Sequence, residues 1–177
     1  LEGRDALKTL YLLRHAKSSW KHDGLSDYDR PLAPRGLKAA PRMGRFMARE
    51  ELIPHRTLCS GALRARETWE LVAPTLGRTV PTEFRPEIYH SSPSSLLELI
   101  HGLPETEESA LLVGHNPTFE ELSLSLAGSG DEGALRSIRA KFPTGALAVL
   151  DFPYHHWPEV APGAGYLRMF VPPRSLK

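Results

Sequence analysis

The alternation of short apolar runs with longer amphipathic stretches constrains this chain more than any other feature of its sequence. The apolar runs are TLYLL (9–13), RTLCS (56–60), ALLVG (110–114), ALAVLDF (146–152) and YLRMFV (166–171), with TVPTEF (79–84) as a weaker sixth. Each has the length of a strand buried inside a sheet. Between them, PRGLKAAPRMGRFMAREEL (34–52) places Leu37, Ala40, Met43, Phe46 and Met47 close to helical spacing, and Pro41 is expected to kink that helix or shift its start. Further helices are expected at 62–76, 93–103 and 117–127, the last with Pro117 in its first turn. Such alternation implies an α/β fold, a three-layer sandwich with a mainly parallel central sheet and helices on both faces. Ligands of these sheets bind beyond the carboxyl ends of the strands. Proline and glycine cluster at 153–165, read as an irregular surface loop carrying His155 and His156.

The 177 residues suit one domain over 1–177, with residues 1–5 set aside as a remnant of cloning or processing. A formal net charge of +1 offers no broad basic field for nucleic acid, so any anion site must be built locally. No apolar run approaches a membrane span, and Leu10–Leu13 is too short for a signal-peptide core. The single cysteine, Cys59, rules out a disulfide within the chain and suits a reducing compartment; the expected location is the cytoplasm. HExxH, CxxC and P-loop patterns are missing, and neither metal nor cofactor is expected.

Three expected strands end in basic groups. The first runs into Arg14-His15, the second into Ser60 and a helix holding Arg64 and Arg66, and the third into VGHNP with His115. Singly, each reads as a solvated edge residue or a hydrogen-bonded structural histidine. Together at one sheet edge they form a phosphate pocket. Guanidinium groups bind phosphoryl oxygens in pairs. A neutral imidazole is a nitrogen nucleophile near neutral pH and can attack phosphorus in line without a metal.

Arg14-His15-Ala16 resembles the Arg-His-Gly signature of the histidine phosphatase superfamily, whose fold is phosphoglycerate-mutase-like. SGALRARET (60–68) resembles its second motif and LLVGHNP (111–117) its third. LYLLRHAKSSW, DYDRPLAPRG and KFPTGALAVLDF are similar to the SixA-type phosphohistidine phosphatase branch, so the resemblance spans about residues 9 to 176. It implies that His15 accepts the phosphoryl group and that water then releases phosphate, while Arg14, Arg64 and His115 bind the phosphoryl oxygens. Glu87, in RPEIYHSS, stands where the family places an acid for the leaving group; its other reading is a surface carboxylate. Lys17 and Ser18 are read either as phosphoryl contacts or as loop residues. Arg30 either reaches the site or pairs with Asp27 or Asp29 on the surface. Ala16 departs from the glycine of the signature, and Lys21 from the asparagine of the sugar-phosphate mutases.

The leading expectation is therefore a metal-independent phosphohistidine phosphatase acting on a protein such as a histidine phosphotransfer domain. A phosphatase of a small phosphorylated metabolite is the alternative. A non-catalytic phosphate-binding module comes third, because the full set Arg14, His15, Arg64 and His115 is present.

Overall fold

A computed structural model describes residues 7–176. Its centre is a seven-stranded sheet built from β1 (Lys8–Arg14), β2 (Arg56–Ser60), β3 (Thr82–Arg85), β4 (Ser109–Gly114), β5 (Ala127–Gly130), β6 (Leu147–Phe152) and β7 (Gly165–Val171). The strand order is β3-β2-β4-β1-β6-β7-β5. β3, β2, β4 and β1 pair in parallel, as do β7 and β5. β6 is antiparallel to both its neighbours and is the one reversed strand. The sheet is thus mainly parallel.

Alternating side chains feed two cores, as the two-residue repeat of a strand dictates. Tyr11 and Leu13 of β1, with Leu111 and Val113 of β4, face α1 (Pro34–Arg49) and α2 (Leu63–Val72), meeting Met43, Met47, Trp69 and Val72. Leu10, Leu12, Ala110 and Leu112 face the other way. They pack with α3 (Pro93–His101), α4 (Thr118–Leu126) and α5 (Glu132–Ala140), meeting Leu96, Phe119, Leu122 and Ile138. Helices therefore cover both faces, giving the three-layer α/β sandwich. None of the described helices is long and apolar enough to cross a membrane.

Several local expectations change. α1 runs through Pro41 from Pro34, so the proline does not shift the start of the helix. The helix ends at Arg49 rather than Leu52, because Glu51 takes a left-handed conformation with φ 57°. Pro117 lies just before α4, as its N-cap, after a cis bond from Asn116. The 153–165 segment is not wholly a surface loop. Trp157 is fully buried, and its indole N–H donates to the Glu107 carbonyl at 3.0 Å. His155 and His156 are exposed, as expected.

β5 and α5 have no counterpart in the sequence expectations. β5 reads Ala-Gly-Ser-Gly and has no apolar pattern of its own. It forms because glycine lets its backbone approach closely: a Cβ on Gly128 would lie 2.0 Å from the Gly163 carbonyl oxygen. α5 did carry a local signal, since the Asp131 carboxylate caps it by accepting from the Ala134 N–H at 2.9 Å.

Candidate active site

β1, β2 and β4 run in parallel, so their carboxyl ends lie at one edge. Arg14 stands opposite Gly114 in the β1–β4 register. His15 follows, and its backbone N–H donates to the Gly114 carbonyl at 3.0 Å. The His15 Nδ1 lies 2.7 Å from the Ala16 carbonyl oxygen. A carbonyl only accepts, so Nδ1 carries the hydrogen and Nε2 keeps its lone pair. Arg64, from the first turn of α2, directs its Nε–H at that Nε2 over 3.4 Å. The His15 and His115 rings lie 5.2 Å apart, centroid to centroid. Strand ends and one helix start thus bring Arg14, His15, Arg64 and His115 together.

Burial tunes the imidazoles. Desolvation, reinforced by the charges of Arg64 and Arg14, pushes both His15 and His115 down to about 3. Both rings are neutral at neutral pH. Arg14 donates from one terminal nitrogen to the Phe142 carbonyl at 2.9 Å. Its Nε and the His115 Nδ1 are buried polar atoms with no partner among the described residues. Buried polar groups normally find partners.

A second layer surrounds these groups, of which the sequence suggested only the Arg30–Asp27 pair. The Asp27 carboxylate accepts from Arg64 at 3.1 Å, from Arg30 Nε at 3.0 Å and from the Tyr89 hydroxyl. Its backbone carbonyl accepts from Arg64 at 2.7 Å. Tyr89, Arg30 and Arg64 hold this carboxyl well below the usual carboxylate range. Ser60 Oγ lies 2.8 Å from His115 Nε2 and accepts from the Ala62 N–H at 3.2 Å. Thr68 joins α2 to the turn after β1, donating to the Arg64 carbonyl and accepting from the Ala16 N–H at 3.0 Å. Tyr89 lies 62 residues from Asp27 in sequence, and no local pattern links them.

Arg30 makes the expected pair with Asp27, from a buried position rather than on the surface. It donates to Ser18 Oγ at 2.9 Å and to the Ser19 carbonyl at 3.1 Å, and stacks 3.5 Å over the Trp20 ring. Ser18 is buried against it, so the pair braces the loop after β1. Lys17 is exposed and lines a cavity that Arg14 also lines. Glu87 is exposed, and among the described hydrogen bonds and ion pairs its carboxylate engages only Arg85. Its own backbone amide, and then Arg85, lower its pKa. Ala16 is fully buried within the core under α1 and α2, so its methyl group is packed rather than obstructive.

Residues 10–89 match the histidine phosphatase superfamily (branch 1). An uncharacterised protein of Mycobacterium tuberculosis, Rv1276c, is 38% identical over 164 residues, which cover 92% of this chain and 100% of the relative. A structure from Agrobacterium tumefaciens superposes with a TM-score of 0.79 and 31% identity, over 93% of this chain and 97% of its own. One from Nakamurella multipartitia gives 0.78 and 28%, over 94% and 96%. Both are provisionally named phosphohistidine phosphatase SixA. Shared sequence, shared fold and a strand edge that gathers an arginine-flanked pair of neutral histidines converge on one assignment: this chain belongs to the histidine phosphatase superfamily, in its SixA-type branch, and is a phosphatase.

Proposed function

We propose that this phosphatase works through His15 as a nucleophile, without a metal ion, and that its substrate is a phosphohistidine on a protein. The Nε2 lone pair attacks phosphorus in line. The substrate's ring, protonated on its other nitrogen, departs as a neutral imidazole: its bond to phosphorus breaks and the electron pair stays on the ring nitrogen. Water then attacks the phosphoryl group on His15. The new P–N bond breaks, phosphate leaves and the neutral imidazole is restored. Arg14 and Arg64 neutralise charge on the equatorial oxygens. A Ser60 hydroxyl donating to His115 Nε2 leaves the His115 Nδ1–H as a further donor to them.

The observation that carries the substrate reading is the state of the nearby carboxylates. Asp27 is engaged by Arg64, Arg30 and Tyr89, and Glu87 by Arg85. Both are held ionised. A phosphate ester expels an alkoxide and needs an acid beside it. An imidazole leaves from phosphorus as a far weaker base, with a conjugate acid near pH ~6.5. The names of the similar Agrobacterium and Nakamurella proteins support the same substrate class.

Phosphate release from a phosphorylated histidine phosphotransfer domain, compared with a panel of phosphate esters in EDTA, tests this reading. The expected result is a higher kcat/KM for the phosphohistidine and no effect of the chelator. A higher kcat/KM for one phosphorylated metabolite would transfer the assignment to a small-molecule phosphatase.

A further inference from the structure

Arg14 also forms part of a cavity of about 370 Å³ whose wall carries Lys17, Arg35, Lys141 and Arg174, and no carboxylate. The five cations come from separate parts of the chain. Arg14 ends β1 and Lys17 follows it, Arg35 lies in the first turn of α1, Lys141 follows α5, and Arg174 follows β7. The chain's net charge of +1 means that this concentration is an arrangement, not a consequence of composition. Among the described residues, the ion pairs involve other cations and none of these five. Arg35 stands at the positive end of a helix dipole, where a cation is unfavourable. Like charges lining one recess repel each other, and a bound anion removes that cost. A recess of this size holds a small group rather than a secondary-structure element.

We propose that this cavity receives a second anionic group, a phosphate or a carboxylate, carried by the substrate whose phosphoryl group His15 attacks. The inference rests on the reading of Arg14 and His15 as the phosphoryl site, since Arg14 belongs to both. Two sources supply this chemistry: acidic side chains flanking a phosphohistidine, and a second phosphate on a small molecule.

Lys141 and Arg174 are exposed and lie outside the catalytic set, so Lys141→Ser with Arg174→Ser tests the cavity while leaving the fold and nucleophile alone. The probes are orthophosphate and tripolyphosphate as inhibitors of p-nitrophenyl phosphate hydrolysis. Tripolyphosphate is expected to bind wild type about 10- to 100-fold more tightly than orthophosphate, the range of one charge-assisted hydrogen bond. The double variant is expected to lose that advantage with turnover and orthophosphate affinity unchanged. Equal affinities in wild type, or an advantage that survives the substitutions, would overturn the cavity assignment. If wild type turns over neither ester nor phosphohistidine, the His15 reading fails, and calorimetric titration of the same two anions still decides the cavity. Phosphohistidine peptides with acidic or uncharged flanks, run beside mono- and bisphosphorylated sugars, then identify the source. A preference in either pair supports the proposal, and no preference in both overturns it.

Discussion

His15 is held by its own neighbour: the Ala16 carbonyl takes the Nδ1 hydrogen and leaves Nε2 bare beside the Arg64 guanidinium. His15→Ala should abolish turnover while the protein still folds. Arg64→Ala should slow turnover by roughly 10²- to 10³-fold, the cost of removing one preorganised donor; an unchanged rate would mean that Arg64 does not bear on the phosphoryl group. Glu87→Gln should leave phosphohistidine turnover within about 3-fold of wild type, because a carboxylate held ionised supplies no proton to the leaving group; a loss of 100-fold would restore Glu87 as the acid. Acidification tests the burial of the two imidazoles. In the folded protein both stay neutral down to about 3, against the ordinary 6.5 of an imidazole. Between those values the unfolded chain binds more protons, so stability must fall as pH drops from 6.5 toward 3. Urea midpoints measured between about pH 7 and pH 5, above the range of ordinary carboxylates, should decline; a flat profile would contradict the burial. Arg14, His15, Arg64 and His115 were legible as a group because each lies at or just after the end of a recognisable strand. Asp27 and Tyr89 were not, since only the folded chain brings a loop after β1 against a turn after β3.

The helix α1 illustrates how an element positions site residues without touching the chemistry. Gly36, in its first turn, packs against the backbone of Lys17, and a Cβ there would lie 2.2 Å from the Lys17 carbonyl oxygen. Gly36→Ala should therefore destabilise the protein by about 1–3 kcal/mol, the usual cost of overpacking, and displace the loop that carries Lys17 and Ser18. Thermal unfolding measures it, and a neutral effect would show that the loop yields freely. At the other end, Glu51 occupies a left-handed conformation that glycine adopts without strain. Glu51→Gly should leave stability equal or raise it by up to about 1 kcal/mol; a clear loss would contradict the strain argument. The strands β1, β2, β4, β6 and β7 were legible because burial on both faces leaves apolar runs. β5 was not, because Ala-Gly-Ser-Gly becomes a strand only through a neighbour that its glycines can approach.

Across the whole molecule, the reversal of β6 shapes the edge that carries Arg14 and His15. Because β6 runs against β1, the segment entering it, 141–146, lies at the same edge as the carboxyl ends of the parallel strands. The Phe142 carbonyl can then anchor Arg14, and Lys141 can line the cavity beside it. Strand direction was not readable from the apolar runs, since a buried strand looks alike in either sense. The sheet's mainly parallel character followed from the alternation with helices, but the exception, β6, is entered by the segment that anchors Arg14. Cys59 is buried in the core under α1 and α2, with its thiol pushed up by desolvation, so it should resist thiol reagents until the sheet unfolds. The proposed mechanism depends on a covalent intermediate at His15. Rapid quenching of the intact protein during turnover in EDTA, followed by mass spectrometry of the peptide containing His15, tests it most directly. A phosphorylated His15 is expected in wild type and is expected to be missing in His15→Ala, together with loss of turnover. Turnover that persists in His15→Ala, or a phosphoryl group trapped on another residue, would contradict it.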